Sequence, residues 1–349
     1  MPILAPTYQS LYDVKYYWSI IIWMFCVALL IFAMVIVGGA TRLTDSGLSI
    51  TEWKPILGAI PPLSLEEWLL AFEKYKAIPE YQLVNKGMSL EEFKVIFWWE
   101  WGHRFLGRII GIIYAVPFFI FALMGCFNRR LFLILFLILC LGGLQGYMGW
   151  FMVQSGLVER VDVSHYRLAM HLSLAAVIFA LIIWVGSRIA AQRYTGIIYA
   201  KAGNFSVALI VLCLFQIVSG AFVAGLDAGK VYNTWPLMDG HFIPDQLFLE
   251  TGLNAIFSDH MNIQFIHRMI AYLLCIFVIM YGLLRFINRS MRVTSILMII
   301  LVFCQAGIGI LTLLWNVPVS LALVHQAGAF ALLAVLVHHR ACFYRLRKI

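Results

Sequence analysis

Long apolar segments, separated by polar stretches of unequal length, dominate the chain. A helix needs about 20 apolar residues to cross the hydrocarbon core of a bilayer. Segments of roughly this length run at about 17–39, 97–124, 131–153, 165–187, 205–226, 262–284, 293–315 and 319–338. Barrel strands would be about 10 residues long and would alternate between apolar and polar positions, which these segments do not. The pattern predicts an all-α integral membrane protein with eight transmembrane helices.

Composition agrees with a membrane protein, because 63% of the 349 residues are hydrophobic and only 12% are charged. Basic residues without acidic partners cluster in the short loops, whereas the long loops 40–96 and 227–261 mix both signs. The basic positions are Arg129, Arg130, Arg188, Arg193, Lys201, Arg285, Arg289, Arg292, Arg340, Arg345, Arg347 and Lys348. Since Lys and Arg accumulate on the cytoplasmic side, both termini are expected there. The net charge of +8 therefore reflects topology, and no nucleic-acid partner is expected.

The first residues carry neither a cleavable signal pattern nor an Arg-rich transit peptide. The expected location is the bacterial inner (plasma) membrane, with the chain crossing it several times. Membrane lipid is then the immediate partner of the apolar surface.

Local matches recur in the same order along the chain and indicate an internal repeat. Residues 38–40 and 45–47 resemble 219–221 and 227–229, and residues 53–58 resemble 235–240. His103-Arg104 matches His267-Arg268, Gln145 matches Gln305, and His171 matches His325. The repeat predicts two tandem parallel four-helix bundles, an N-terminal half at 1–195 and a C-terminal half at 196–349.

Each half places two histidines in the outer third of its spans, namely His103 with His171 and His267 with His325. The two histidines of a half are expected to face one another from neighbouring helices at the same depth. A single histidine in a span often serves only to bond a neighbouring helix. Four at repeated positions favour cofactor ligation instead, since bundle interiors hold cofactors between facing helices. Zinc or di-iron sites would need more ligands, whereas haem needs only axial ones. Small residues one turn after each histidine suit a flat ring: Gly107, Ala175, Ala271 and Ala329. His165, His338 and His339 are predicted to lie at membrane interfaces.

The halves differ at one position beside the ligands. Glu100 stands three residues before His103, whereas Gln264 stands three before His267. A carboxylate beside a cofactor can accept a proton or stabilise developing positive charge, although an acidic residue near a helix start is also favourable in itself. Glu100 is therefore a candidate catalytic residue of the first half.

Three arginines near the outer ends of the spans, Arg42, Arg104 and Arg268, are candidates for binding haem propionates. Arginine suits bidentate contact with a carboxylate. Extension of the side chain to lipid headgroups explains any one of them equally well.

Several motifs resemble the haem A synthase family over about residues 17 to 340. They are GGATRLTDSGLS at 38–49, EWGHR at 100–104, NTWPLMDG at 233–240 and the paired histidine helices. The similarity is closest to the alphaproteobacterial and mitochondrial form, which lacks the outer-loop cysteine pair of many other bacterial members. None of the seven cysteines here lies in either long loop, and a thiol-based step is therefore in doubt.

The resemblance implies a membrane oxidoreductase that oxidises the C8 methyl of haem O to a formyl group, giving haem A for cytochrome oxidase. It implies that His267 and His325 hold a resident haem b that relays electrons. His103 and His171 would flank the substrate haem, with Glu100 as the catalytic carboxylate. The implied partners are haem O synthase, cytochrome oxidase assembly factors and an electron donor, either a ferredoxin or a quinol. Homo-oligomer formation stays open.

Two alternatives remain from the residues alone. One is a dihaem b-type membrane cytochrome that only transfers electrons, and Glu100 argues against it. The other is a haem transporter or chaperone, which would not need a carboxylate at that position.

Overall fold

A computed structural model describes residues 16–54, 57–158, 160–193, 203–248 and 253–342. Eleven α-helices lie within these ranges: α1 Tyr17–Leu43, α2 Leu65–Lys76, α3 Pro79–Leu83, α4 Leu90–Leu123, α5 Arg129–Gln154, α6 His165–Arg193, α7 Phe205–Gly225, α8 Leu253–Ser258, α9 His260–Phe286, α10 Arg292–Leu314 and α11 Val319–Cys342. Eight of them are long and apolar enough to cross a membrane, and the described residues contain no β-strand. The predicted fold class is confirmed.

The second transmembrane helix, α4, begins at Leu90 rather than at 97. Ser89 caps it by accepting from the Glu92 amide, and the Glu92 carboxylate accepts from the Ser89 amide. This capping box satisfies amide groups that the first turn leaves without partners, so the helix can start in the polar segment ahead of the apolar run. His103 consequently lies about 20 Å inside the helix, at 1.5 Å per residue.

Helix contacts divide the membrane-spanning part into two rings of four. In the first ring α1, α4, α5 and α6 each pack against two neighbours, and α7, α9, α10 and α11 do the same in the second. The rings meet where α1 and α6 pack against α11, and where α6 also packs against α7. The arrangement agrees with two tandem bundles. The predicted boundary between 195 and 196 lies outside the described residues, as do Lys201, Arg345, Arg347 and Lys348.

Polar contacts join the two rings near the outer end, the end of the long loops. The Gln326 side chain of α11 donates to the Val35 carbonyl of α1 at 3.1 Å. Gly39 allows this approach, because a Cβ at that position would collide with the Gln326 amide. Arg42 bridges the rings by pairing with Asp227 at 3.2 Å. The halves are therefore joined by specific contacts as well as by apolar packing.

The long loop of the first half has its own small core. Helices α2 and α3 pack over the start of α4, and the buried apolar residues there are Leu48, Phe72, Tyr75, Ile78, Phe93, Phe97 and Val163. Glu80 is buried beside this core, where it accepts from the Tyr75 hydroxyl at 3.1 Å. Burial raises the pKa of Glu80 to about 8, because the ionised form loses its hydration.

Candidate functional site

Each of the four paired histidines packs against a glycine of the membrane helix that precedes it. A Cβ built at Gly38 would lie 3.0 Å from the nearest His103 ring atom. The corresponding distances are 3.1 Å for Gly149 and His171, 3.1 Å for Gly220 and His267, and 2.6 Å for Gly309 and His325. Any larger residue would push into the ring. The rings are therefore held against bare backbone, at four equivalent places in the two bundles.

These glycines are not the small residues that the sequence pattern predicted. Gly107, one turn after His103, would meet only the tip of the Met34 side chain if it carried a Cβ. The contact glycines also change the alignment of the two halves by one residue. The sequence match pairs Gly39 with Gly220, whereas the histidine contacts make Gly38 the equivalent of Gly220. Asp45 and Asp227 keep this register, and both have left-handed backbone, with φ of 48° and 52°.

The two histidines of a pair lie on diagonal helices of their ring, α4 with α6 and α9 with α11, not on neighbouring helices as predicted. The His267 and His325 ring centroids are 6.4 Å apart, with an angle of 77° between the ring planes. Two metal–nitrogen bonds of about 2 Å each, together with the radii of the rings, span a gap of this size.

Two glutamines that the repeat had matched lie beside the second histidine of each pair. Gln145 donates to the His171 carbonyl at 3.1 Å, and Gln305 donates to the His325 carbonyl at 2.8 Å. Both amide nitrogens also lie within 3.2 Å of the Nδ1 atom of that histidine. Their side-chain oxygens are buried and have no partner among the described residues. A glutamine inside an apolar span is energetically costly, and this feature of the sequence indicates a contact with a functional residue.

The residues of both pairs fit a haem. Each site offers two imidazoles from diagonal helices of one ring, and all four histidines are only half-buried although they lie inside the bundles, which indicates space beside them. The buried amide oxygens of Gln145 and Gln305 can each accept a hydrogen bond, and no donor among the described residues supplies one. Among the described residues, no three His, Cys, Asp or Glu side chains come together as a multi-ligand metal centre would need.

Glu100 is 2% exposed and faces the outer loop. Its carboxylate accepts from the Ser49 hydroxyl and the Ile50 amide, both at 2.7 Å, and from Arg104 at 2.6 Å. Arg104 in turn donates to the carbonyls of Ile50 and Glu52. The carboxylate thus ties the loop to the helix one turn before His103.

Gln264 has the same role in the second half, as the neutral counterpart of Glu100. Its amide nitrogen donates to the Ala228 and Tyr232 carbonyls, both at 3.0 Å, and its oxygen accepts from Arg268 at 3.1 Å. Arg268 also donates to the Thr234 carbonyl at 2.9 Å. A Glu–Arg pair and a Gln–Arg pair therefore tie the two outer loops at equivalent positions.

Arg42 lies between the repeat-related aspartates, 3.0 Å from Asp45 and 3.2 Å from Asp227. Burial raises the pKa of Asp45, and the Arg42 charge opposes this rise. The Nε atoms of Arg42 and Arg268 are buried without a partner among the described residues. The Nε–H group of each arginine is thus a hydrogen-bond donor that no described residue accepts from.

His165 begins α6 and His339 lies in the last turn of α11, at the ends of membrane helices where an interfacial position is predicted, and both side chains are buried. His165 is 8% exposed and packs against Gly225, where the two rings meet. His339 is fully buried and hydrogen-bonds to Tyr281 at 3.1 Å and to Thr294 at 2.8 Å. Both are held between helices, which local spacing does not reveal.

A family model described as "Cytochrome oxidase assembly protein" matches residues 21–337. The chain belongs to this family. It is 48% identical to a protein named "Heme A synthase" from Parvibaculum lavamentivorans, over 93% of this chain and 94% of that one. A protein of the same name from Agrobacterium fabrum is 50% identical, over 91% of this chain and 88% of that one. The matches cover nearly the whole chain, and the resemblance predicted from the motifs is confirmed.

Proposed function

We propose that the chain is a haem A synthase, a membrane oxidoreductase that converts the C8 methyl group of haem O to the formyl group of haem A for cytochrome oxidase. One observation carries the proposal: two equivalent histidine pairs stand on one scaffold, and only the first has a carboxylate in the loop-binding position. The change from a methyl to a formyl group is a four-electron oxidation of the carbon, in which two hydrogen atoms are exchanged for one oxygen atom. Two successive hydroxylations, followed by loss of water, account for this change.

The two halves divide the work in this proposal. His103 and His171 flank the haem substrate in the N-terminal half. His267 and His325 hold a haem b in the C-terminal half, and this haem supplies one-electron redox chemistry when bound. Contacts between α1, α6, α7 and α11 bring the two bundles together, so that electrons have a short path between them.

Glu100 is the proposed catalytic carboxylate. It is buried one turn from His103, and the Arg104 ion pair holds its carboxylate in position. In this proposal the carboxylate acts as the proton acceptor while the methyl group is oxidised. Arg42, Arg104 and Arg268 are proposed to meet haem propionates at the outer ends of the bundles. The unused Nε donors of Arg42 and Arg268 support this assignment.

The proposed function also implies a cellular location and partners for the protein. The bacterial inner membrane is the proposed location, with both termini cytoplasmic, because the basic residues at the ends of α6 and α11 and at the starts of α5 and α10 share one side. Haem O synthase is the proposed supplier of substrate, and a ferredoxin or a quinol is the proposed electron donor.

Pigment extraction from the purified protein tests the function. The protein is made in cells that synthesise haem O, and its non-covalent pigments are separated by chromatography. Haem b together with haem O or haem A is the expected result. If only haem b is found, the proposal is wrong and the chain is an electron-transferring dihaem cytochrome. If Glu100→Gln leaves haem A production intact, a haem transporter is favoured instead.

A further inference from the structure

A hydroxyl group fixes the orientation of His267. Ser219 Oγ lies 2.9 Å from His267 Nδ1 and donates its single hydrogen to the Gln216 carbonyl, also at 2.9 Å. When the hydroxyl hydrogen is donated to that carbonyl, the serine oxygen accepts from a protonated Nδ1. In this tautomer Nε2 is the ring nitrogen that carries the lone pair for binding a metal.

A second polar group from the same helix meets this ring. The Gln216 amide nitrogen is 3.1 Å from both His267 Nδ1 and His267 Nε2. Its side-chain oxygen is buried and has no partner among the described residues. Since Gln216 and Ser219 lie within one turn of Gly220, the glycine that touches His267, α7 holds this histidine by packing and by hydrogen bonding together.

The equivalent histidine of the first half lacks this support. With Gly38 equivalent to Gly220 and Asp45 to Asp227, Met34 takes the place of Gln216 and Val37 takes the place of Ser219. Neither side chain can accept a hydrogen bond from an imidazole N–H as a hydroxyl does. The nearest hydroxyl on α1 is that of Thr41, which bonds to the Val37 and Trp99 carbonyls. Within the described residues, the contact of the His103 ring with α1 is packing alone.

We infer that Ser219 and Gln216 are positioning residues that make His267 a permanent haem ligand, and that Met34 and Val37 make His103 an exchangeable one. Partners of the non-ligating nitrogen fix the ring and raise its basicity, and their loss costs about 10–100-fold in metal affinity or activity. A resident cofactor benefits from such partners. A substrate that must leave as product does not. The inference rests on the proposed division of substrate and resident haem between the halves.

Exchanging these residues between the halves tests the inference. The double variant Gln216→Met with Ser219→Val is made in a His103→Ala background, so that only the second-half site is measured. The full chain in detergent is loaded with haem b, and the midpoint potential and the rate of haem transfer to apomyoglobin are recorded. We expect the potential to rise, because a less basic imidazole stabilises ferric iron less, and haem loss to be about 10–100-fold faster.

The reciprocal exchange completes the experiment. Met34→Gln with Val37→Ser, in a His267→Ala background, is expected to slow haem transfer from the first half and to lower the potential there. Ser219→Thr, which keeps the hydroxyl, should have the wild-type midpoint potential in the second half. Ser295→Ala is the matched control, since the one bond of that buried hydroxyl within the described residues is to the Met291 carbonyl, one turn earlier.

An unchanged potential and an unchanged transfer rate in the folded double variant would overturn the inference. If that variant does not accumulate, Ser219→Ala alone carries the same test. Failure of the proposed function would look different: haem A would be absent from the wild type, while the potential would still shift in the variants of α7.

Discussion

The two halves tie their outer loops with the same pair of positions, but one pair is charged and the other is neutral. Glu100 with Arg104 and Gln264 with Arg268 each bind carbonyl or amide groups of the loop that follows the preceding membrane helix. In the second half a neutral amide performs this structural task. The hydrogen bonds have opposite polarity, because Gln264 donates to loop carbonyls whereas Glu100 accepts from the Ser49 hydroxyl and the Ile50 amide. The first half alone therefore has a buried carboxylate at this position, and that carboxylate is a candidate for chemistry.

The side chains that contact the ligand histidines also differ between the two halves. His267 has a hydroxyl and an amide from α7 beside its ring, whereas His103 has Met34 and Val37 at the equivalent positions. One scaffold thus holds one pair firmly and the other loosely. Retention and release require opposite properties, and a repeat allows each half to supply one of them.

The largest expected effect separates the two pairs of ligands. His267→Ala should abolish the haem b spectrum of the purified protein, because the site loses one of its two axial ligands. His103→Ala should keep that spectrum and mainly reduce turnover or substrate retention. Reduced-minus-oxidised spectra and pigment extraction measure both. Equal loss of haem b from the two variants would refute the division of labour.

Removing the charge from Glu100 is expected to affect chemistry more than binding. Glu100→Gln should lower haem A formation by about 10²–10⁴-fold, the usual contribution of a positioned acid or base. Haem b content should stay near the wild-type level. Ser49→Ala is the control, since it removes one hydrogen bond from the same carboxylate but keeps the charge. If both variants lose activity equally, loop anchoring rather than charge is the role of Glu100.

The glycine contacts give a steric test of both halves. Gly309→Ala places a Cβ 2.6 Å from the His325 ring and should displace this ligand, which lowers haem b content. Gly307→Ala on the same helix meets nothing within 4 Å and should be silent. Gly149→Ala and Gly146→Ala form the same pair in the first half, with the loss expected in substrate haem. Retention of normal haem b in Gly309→Ala would show that the ring has room to move.

The smallest expected effect is on stability, and it concerns the small core where α2 and α3 pack over the start of α4. The pKa of Glu80 is about 8 in the folded protein, against 4.5 ordinarily, so folding favours its protonated form. Its contribution to stability is complete below pH 4.5 and is lost as the pH rises through 8.

Thermal unfolding of wild type and Glu80→Gln between pH 5 and pH 9 measures this contribution. The wild type should lose stability across the range, and the variant should lose less. Glu73→Gln is the control, because that carboxylate is 65% exposed. Parallel curves for wild type and Glu80→Gln would contradict the assignment.

Much of the fold and part of the site could be predicted from local patterns. Eight apolar segments of membrane length give eight helices, since backbone groups in lipid must bond within their own helix. The four histidines and the Glu100–Gln264 difference follow from spacing that repeats along the chain. The starts of helices do not follow from hydrophobicity: α4 begins at Leu90 because a capping box decides where this helix starts.

The sequence by itself determined which residues are repeated, and therefore which side chains could form two equivalent sites. Only the tertiary structure decided that paired histidines lie on diagonal helices, that Gly38 rather than Gly39 is equivalent to Gly220, and that Ser219 meets His267. It also directed Glu100 towards Arg104 and buried His339 between helices. The physical reason is that these contacts depend on which helices pack together and at what relative depth, and a single apolar segment carries no record of its neighbours.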